Sequence, residues 1–229
     1  MARARVRLPF ADRTEAGELL AEVLHGMDVP DPVVLALPRG GVEVAVPVAA
    51  RLGAPLDVLV TRKIGLPRQP ELGLGAIAEG GEPVFDEEML GRLGLDAGEL
   101  APVAERERRE LERRVRAYRG ERPLPGLAGR DVIVVDDGLA TGGTARAALR
   151  AVRRAQGGRG TVTLAVPVAA RDTADLLRRE ADRVVVLATP AGFRAVGQWY
   201  ELFDQLTDAD VLGLLREGRA GEGSGGAGA

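Results

Sequence analysis

The sequence contains no cysteine and a single histidine, His25. Disulfides, thiolate zinc sites and cysteine nucleophiles are thereby excluded, as are metal centres built on several histidines. Aromatic residues are scarce: one Trp, two Tyr and four Phe among 229 residues, so most should be spent on packing. No apolar run approaches the roughly 20 residues of a membrane span. The start, MARARVRLPF, is basic but lacks the apolar stretch of a secretory signal, so a cytoplasmic location is expected. Neither sign of charge dominates. Thirty-one basic against 34 acidic residues give a net charge of −3, which argues against a general nucleic-acid or membrane-surface protein. Lysine is almost missing: Lys63 stands alone among the arginines. Where arginine serves every generic positive charge, that one lysine is a candidate for a place suited to a compact ammonium rather than a planar fork.

What is present is an alternation of helical and strand patterns over most of the chain. Residues 11–26 read as a helix capped by Asp12 or Thr14 and stopped by Gly26, with His25 a structural residue in its last turn. Val33–Leu37 reads as a buried strand running into PRGG at 38–41, and Pro47 places the start of the next helix near Val46. Leu56–Thr61 is a strand. Residues 64–85, rich in Gly and Pro, form a loop or hairpin with a possible strand at Leu74–Ala78. Glu99–Arg119 is helical, with Glu105–Arg109, Glu110–Arg114 and Glu112–Arg116 at i,i+4, a solvated salt-bridge face. Strands at Asp131–Val135, Thr161–Val166 and Arg183–Ala188 alternate with helices at Ala145–Gln156 and Asp172–Glu180. The pattern implies an α/β fold, a mostly parallel, doubly wound sheet with helices on both faces. The expected organisation is one domain over 1–217 with a core at about 31–205. The Gly/Ala-rich tail, 218–229, is expected to be disordered. The heptapeptide AVPVAAR occurs twice, at 45–51 and 165–171, with flanks so different that it reads as coincidence rather than repeat.

The chemistry is concentrated in DVIVVDDGLATGGT, residues 131–144. A strand ends in two carboxylates, Asp136 and Asp137, where open parallel sheets bind ligands. Behind them Gly138, Gly142 and Gly143 allow backbone N–H groups to converge, Thr141 and Thr144 add hydroxyls, and a helix offers its positive end. That is an anion cradle. The acids cannot serve the same anion and must face hydroxyls or a cation such as Mg²⁺. Anion site and polyol site side by side suit a sugar phosphate. The spacing fits neither GxxxxGK[ST] nor GxGxxG.

This segment resembles the ribose-5-phosphate signature of type I phosphoribosyltransferases. The resemblance covers roughly 31–205, and is nearest to a bacterial branch with PRGG, RK, GAIAEGG and VGQWY segments. It implies that Asp136 and Asp137 hold the ribose hydroxyls of phosphoribosyl pyrophosphate (PRPP) and a Mg²⁺ ion, directly or through water. It assigns the 5-phosphate to Ala140, Thr141, Gly142, Gly143 and Thr144, with Gly138 in the same loop. Arg39, Gly40 and Gly41 would form the pyrophosphate loop, with a cis peptide at Pro38–Arg39. Arg62 and Lys63 would both contact pyrophosphate, and 64–85 would be a mobile loop that closes over the site. Phe193 is the implied base-stacking residue and Trp199 a weaker candidate, whereas core packing is the better reading for Trp199, Tyr200 and Phe203. The N-terminal helix, residues 64–120 and the C-terminal part would build a small hood. The implied activity is Mg²⁺-dependent transfer of a 5-phosphoribosyl group to a nitrogen acceptor, a nucleobase in salvage, with release of pyrophosphate. Homodimers are common among such proteins. The alternative is a non-catalytic regulator that senses PRPP or a nucleotide in the same pocket. A phosphohydrolase of flavodoxin-like architecture would want a nucleophilic Asp after the first strand, where PRGG stands instead.

Overall fold

The computed structural model describes residues 6–220. In chain order these form α1 (Arg13–His25), β1 (Pro32–Ala36), α2 (Gly40–Leu52), β2 (Leu56–Val58), β3 (Thr61–Leu66), β4 (Gln69–Ala78) and β5 (Val84–Phe85). There follow α3 (Glu87–Leu93), α4 (Ala101–Arg119), β6 (Asp131–Val135), α5 (Gly143–Gln156), β7 (Val162–Val168), α6 (Arg171–Leu177), β8 (Arg183–Ala188) and α7 (Asp208–Ala220). Five strands make a parallel sheet in the order β2-β1-β6-β7-β8. Successive side chains of a strand face opposite sides, so the unbroken apolar runs serve two cores. Val34, Ala36, Ile133 and Val135 face Leu20, Leu24 and Val48 of the two N-terminal helices. Val33, Leu35, Val132 and Val134 face Leu149 and Val152 of α5. Fold class and strand alternation are as the sequence implies.

From β1 the chain moves outward to β2 on one side, and from β6 outward to β7 and β8 on the other. The reversal lies between β1 and β6, where crevices open at the carboxyl ends of such sheets. The segments following these two strands are PRGG and DDGLATGGT. A second, antiparallel sheet, β3-β4-β5, stands beside this end and includes most of the segment predicted as a Gly/Pro-rich loop. The expected strand Leu56–Thr61 is divided, because β2 ends at Val58 and Thr61 already pairs with Ala78 in the second sheet.

Pro47 does not mark a helix start. It lies inside α2, which begins at Gly40. The carbonyl of Glu43 therefore lacks its usual N–H partner, a cost of up to about 3 kcal/mol. The site is nonetheless closely packed: a Cβ at Gly17 of α1 would come within 2.5 Å of the Val44 oxygen and 2.6 Å of Pro47 Cγ. Asp12 caps α1 by accepting from the Glu15 N–H at 2.8 Å. The tail assignment is corrected at its start. Helix α7 runs to Ala220, with Gly218 close against Leu56 of β2, and 221–229 lie outside the described residues.

Beyond α6, Glu180 accepts hydrogen bonds from Arg146 at 2.7 Å and from Arg150 at 2.8 Å. The Arg150 hydrogen bond first, then that of Arg146, holds the Glu180 carboxyl below its ordinary range against the effect of burial. A group depressed on folding stabilises above its unfolded pKa and ceases to do so as pH falls through the folded value. Glu180→Gln is therefore expected to lower the melting temperature by about 1–3 °C at neutral pH. Melting curves of the two proteins should converge only as the pH falls below the ordinary glutamate range, through the depressed folded value.

Candidate functional site

The loop after β6 meets α5 at Gly142, which adopts φ +74°, a left-handed conformation that favours glycine. No side chain caps α5, so its first N–H groups remain turned toward whatever lies before the helix. Gly143 has nothing within 4 Å of where a Cβ would stand. The loop is steadied from α6, where the Thr173 hydroxyl donates to the Ala140 carbonyl at 2.6 Å. Thr141, Gly142, Gly143 and Thr144 line a cavity of about 240 Å³ together with Lys63, Gly73, Gly75, Asp86 and Arg146. Its opposite wall is the second sheet. The lone lysine and the glycine–threonine loop, far apart in sequence, thus share one cavity. The Lys63 stem crosses Gly73, where a Cβ would come within 2.6 Å of Lys63 Cε.

Asp136 and Asp137 do not line this cavity. They stand in the β1–β6 crevice, half-buried, against the first turn of α2. A Cβ on Gly40 would fall 1.9 Å from Asp137 Oδ2, and one on Gly41 would fall 2.8 Å from the Val135 oxygen. The two glycines of PRGG thus let α2 begin directly on the tandem acids. Asp136 Oδ1 accepts from the Asp137 N–H at 2.9 Å. Asp137 Oδ2 accepts from Arg13 Nε at 2.9 Å, and the Asp137 carbonyl accepts from the Tyr200 hydroxyl at 2.6 Å. Burial pushes the Asp136 carboxyl well above the ordinary range, and the charge of Asp137 adds to it. Burial raises Asp137 too, with the Arg13 guanidinium opposing. Hydroxyl donors or a cation placed here would relieve both.

The remaining expectations divide. The Pro38–Arg39 peptide is cis. Arg39 is partly exposed and lies 4.0 Å from Asp208 of α7. Arg62 is paired within the fold: its guanidinium donates to Glu107 of α4 at 2.9 and 2.7 Å. Adjacent residues of a strand face opposite sides, so Arg62 and Lys63 start from different faces of β3. Gly138 is likewise a packing residue, since a Cβ there would meet Val196 Cγ1 at 2.6 Å and Val168 Cγ1 at 3.1 Å. Ala140 is exposed, and its carbonyl is engaged by Thr173. Phe193 lies 6.1 Å, centroid to centroid, from Trp199, beside a separate cavity of about 290 Å³ that includes Arg171, Asp172 and Thr189. Tyr200 is buried as expected, yet its hydroxyl also serves the acid loop. Sequence reasoning missed Arg13, Asp86 and Arg146. Only Arg146 carried a signal, two residues beyond Thr144 at the mouth of the helix.

Among the described residues no helix is long and apolar enough to cross a membrane, and no group of three or more acidic, His or Cys side chains is gathered for a metal.

Comparison with known proteins places the chain in a family. The family model described as "Phosphoribosyl transferase domain" matches residues 13–195. Proteins of two Mycobacterium tuberculosis strains each bear the name "Putative phosphoribosyl transferase". They are 47% identical over 206 residues, covering 90% of this chain and 46% of theirs. The chain therefore spans less than half the length of these curated relatives. The crystal structure of a Thermus thermophilus protein superposes with a TM-score of 0.76 at 46% identity, covering 91% of this chain and 98% of that one.

Proposed function

Because the chain belongs to the phosphoribosyltransferase family, we propose that it transfers the 5-phosphoribosyl group of PRPP to a nitrogen acceptor of the nucleobase class. The observation that carries this reading is the shared cavity of Lys63 and the Thr141–Thr144 loop, with paired acids in the adjoining crevice. The loop N–H groups, the two threonine hydroxyls and the end of α5 hold the 5-phosphate. Asp136 and Asp137 accept hydrogen bonds from the ribose hydroxyls and balance the cationic character that develops at C1. Lys63 meets the charge of the departing pyrophosphate. The acceptor nitrogen bonds to C1 as the C1–O bond to pyrophosphate breaks, with inversion. No protein nucleophile takes part, which suits a chain without cysteine.

Magnesium fits this donor set. It prefers hard oxygen ligands and keeps several waters, so one or two carboxylates suffice. Asp136 and Asp137 would hold it, and when bound it would supply positive charge to the pyrophosphate oxygens. The pairing of Arg62 with Glu107 favours a second reading, binding without transfer, in which the pocket senses PRPP or a nucleotide.

Titration calorimetry with PRPP and Mg²⁺, followed by a nucleobase panel read by pyrophosphate release, separates these readings. Binding with release supports transfer, binding with silence across the panel supports the sensor, and absence of PRPP binding overturns transfer and PRPP sensing alike. Lys63→Ala should weaken PRPP binding by about tenfold or more, as expected for losing a charge-assisted contact. Lys63→Arg, which keeps charge but not shape, should recover only part of it.

A further inference from the structure

Resting on the transferase reading, we propose that Arg13 is a positioning residue, which holds the Asp137 carboxylate in the orientation that receives the ribose. Arg13 is the first residue of α1, outside the segments that carry the ligand-binding motifs, and 124 residues from its partner. Its side chain is only 7% exposed. Nε donates to Asp137 Oδ2 at 2.9 Å, and Nη1 donates to the Asp204 carbonyl at 2.9 Å. The guanidinium carbon lies 3.9 Å from the centroid of the Phe203 ring, and Glu43 Oε2 is 3.7 Å from Nη1. The planar fork is thus fixed on several sides before it touches the acid. An arginine is suited to this, since its rigid geometry transmits orientation as well as charge.

Asp137 is held on three sides in consequence. Its N–H donates to Asp136, its carbonyl accepts from Tyr200, and Oδ2 accepts from Arg13. The last of these fixes Oδ2 against the Arg13 guanidinium. The first turn of α2 is shaped around the same pair. A Cβ on Gly40 would strike Asp137 Oδ2 at 1.9 Å and Arg13 Nε at 2.9 Å. A buried arginine serving only to staple α1 to α2 and the C-terminal segment would have Glu43, Phe203 and Asp204 for that purpose. Its Nε is instead spent on the acid at the end of β6, at the same 2.9 Å as the Nη1 bond to the Asp204 carbonyl. Supporting groups of this kind hold a ligand-binding side chain near its productive orientation, and a loosened orientation costs affinity and rate.

The test is PRPP titration in the presence of Mg²⁺ for wild type, Arg13→Gln, Arg13→Lys, Asp137→Asn and the Arg13→Gln/Asp137→Asn double variant, with melting curves for each. Arg13→Gln is expected to bind PRPP at least about tenfold more weakly while remaining folded, the loss of one charge-assisted hydrogen bond. Arg13→Lys should restore part of the affinity. In the Asp137→Asn background the same Arg13→Gln change should cost less than about twofold, because the asparagine offers only a neutral oxygen and the charge-assisted contact it acts through is already lost. Equal losses in both backgrounds would show that Arg13 acts through the fold alone and would overturn the proposal, as would wild-type affinity in Arg13→Gln. Should Arg13→Gln fail to fold, the Arg13→Lys cycle with Asp137→Asn decides the matter by the same criterion. If wild type binds no PRPP, the transferase reading itself falls; if wild type binds and Arg13→Gln matches it, only the role of Arg13 falls.

Discussion

Asp137→Asn should reduce pyrophosphate release to under about 1% of wild type while leaving a cooperative fold. Removing a charge-assisted acceptor from a ligand weakens binding by about ten- to a hundredfold, and the lost balance for positive charge at C1 lowers the rate further. Two opposing effects act on stability. The asparagine still offers an oxygen to Arg13 but leaves that buried guanidinium with Glu43, 3.7 Å away, as counter-ion in place of its nearer partner, which destabilises. It also ends the repulsion between two adjacent, half-buried carboxylates, which stabilises. The net change in melting temperature is therefore expected to be far smaller than the change in turnover. Circular dichroism melts alongside a pyrophosphate assay separate the two, and a variant retaining more than a tenth of wild-type turnover would remove Asp137 from the site.

Gly41→Ala should damage both fold and binding. Its new methyl would lie 2.8 Å from the Val135 oxygen and 2.9 Å from Asp136 Cα, backbone atoms that cannot swing aside. Helix α2 would have to lift from β6, an overpacking cost of about 1–3 kcal/mol, or roughly 3–10 °C in melting temperature for a domain of this size. The displaced turn also carries Gly40 away from Asp137, so PRPP affinity should fall with it. Gly91→Ala is the matched comparison. That glycine lies exposed inside α3 with nothing within 4 Å, and the same substitution there should raise stability by about 0.5–1 kcal/mol. Loss of stability in both variants would point to a general intolerance of alanine rather than to contact between α2 and β6.

Much of this architecture is legible in the chain because local pattern and tertiary context agree. The strands Asp131–Val135 and Arg183–Ala188 have the limits that their apolar runs suggest. AVPVAAR marks where such agreement ends. The same seven letters lie within α2 at 45–51, whereas at 165–171 they finish β7 and enter α6. Propensity is identical in the two copies, so the flanks and the surface each segment must cover decide between helix and strand. Pro47 misleads for a related reason: packing against Gly17 outweighs a local preference for the first turn. Helices α3 and α7 are short of strong signals, and α7 ends in the glycine-rich composition that reads as tail. In the site, the Thr141–Thr144 cradle and Lys63 were visible because each carries a local motif. The separation of Arg62 from Lys63 follows from strand alternation, which is readable only once β3 is recognised as a strand. Arg13 was invisible, since nothing in the opening helix reveals a partner that folding alone brings near.

The switch between β1 and β6 has a thermodynamic corollary. Ala36 and Val135 are neighbours in the sheet yet come from remote parts of the chain, and one turn of the crevice follows each of them. No peptide fragment holding only one of these strands can assemble the pocket. Ligand occupancy therefore reports on the whole sheet, and saturating PRPP should delay global unfolding by RT ln(1 + [L]/Kd) instead of merely quieting a surface loop.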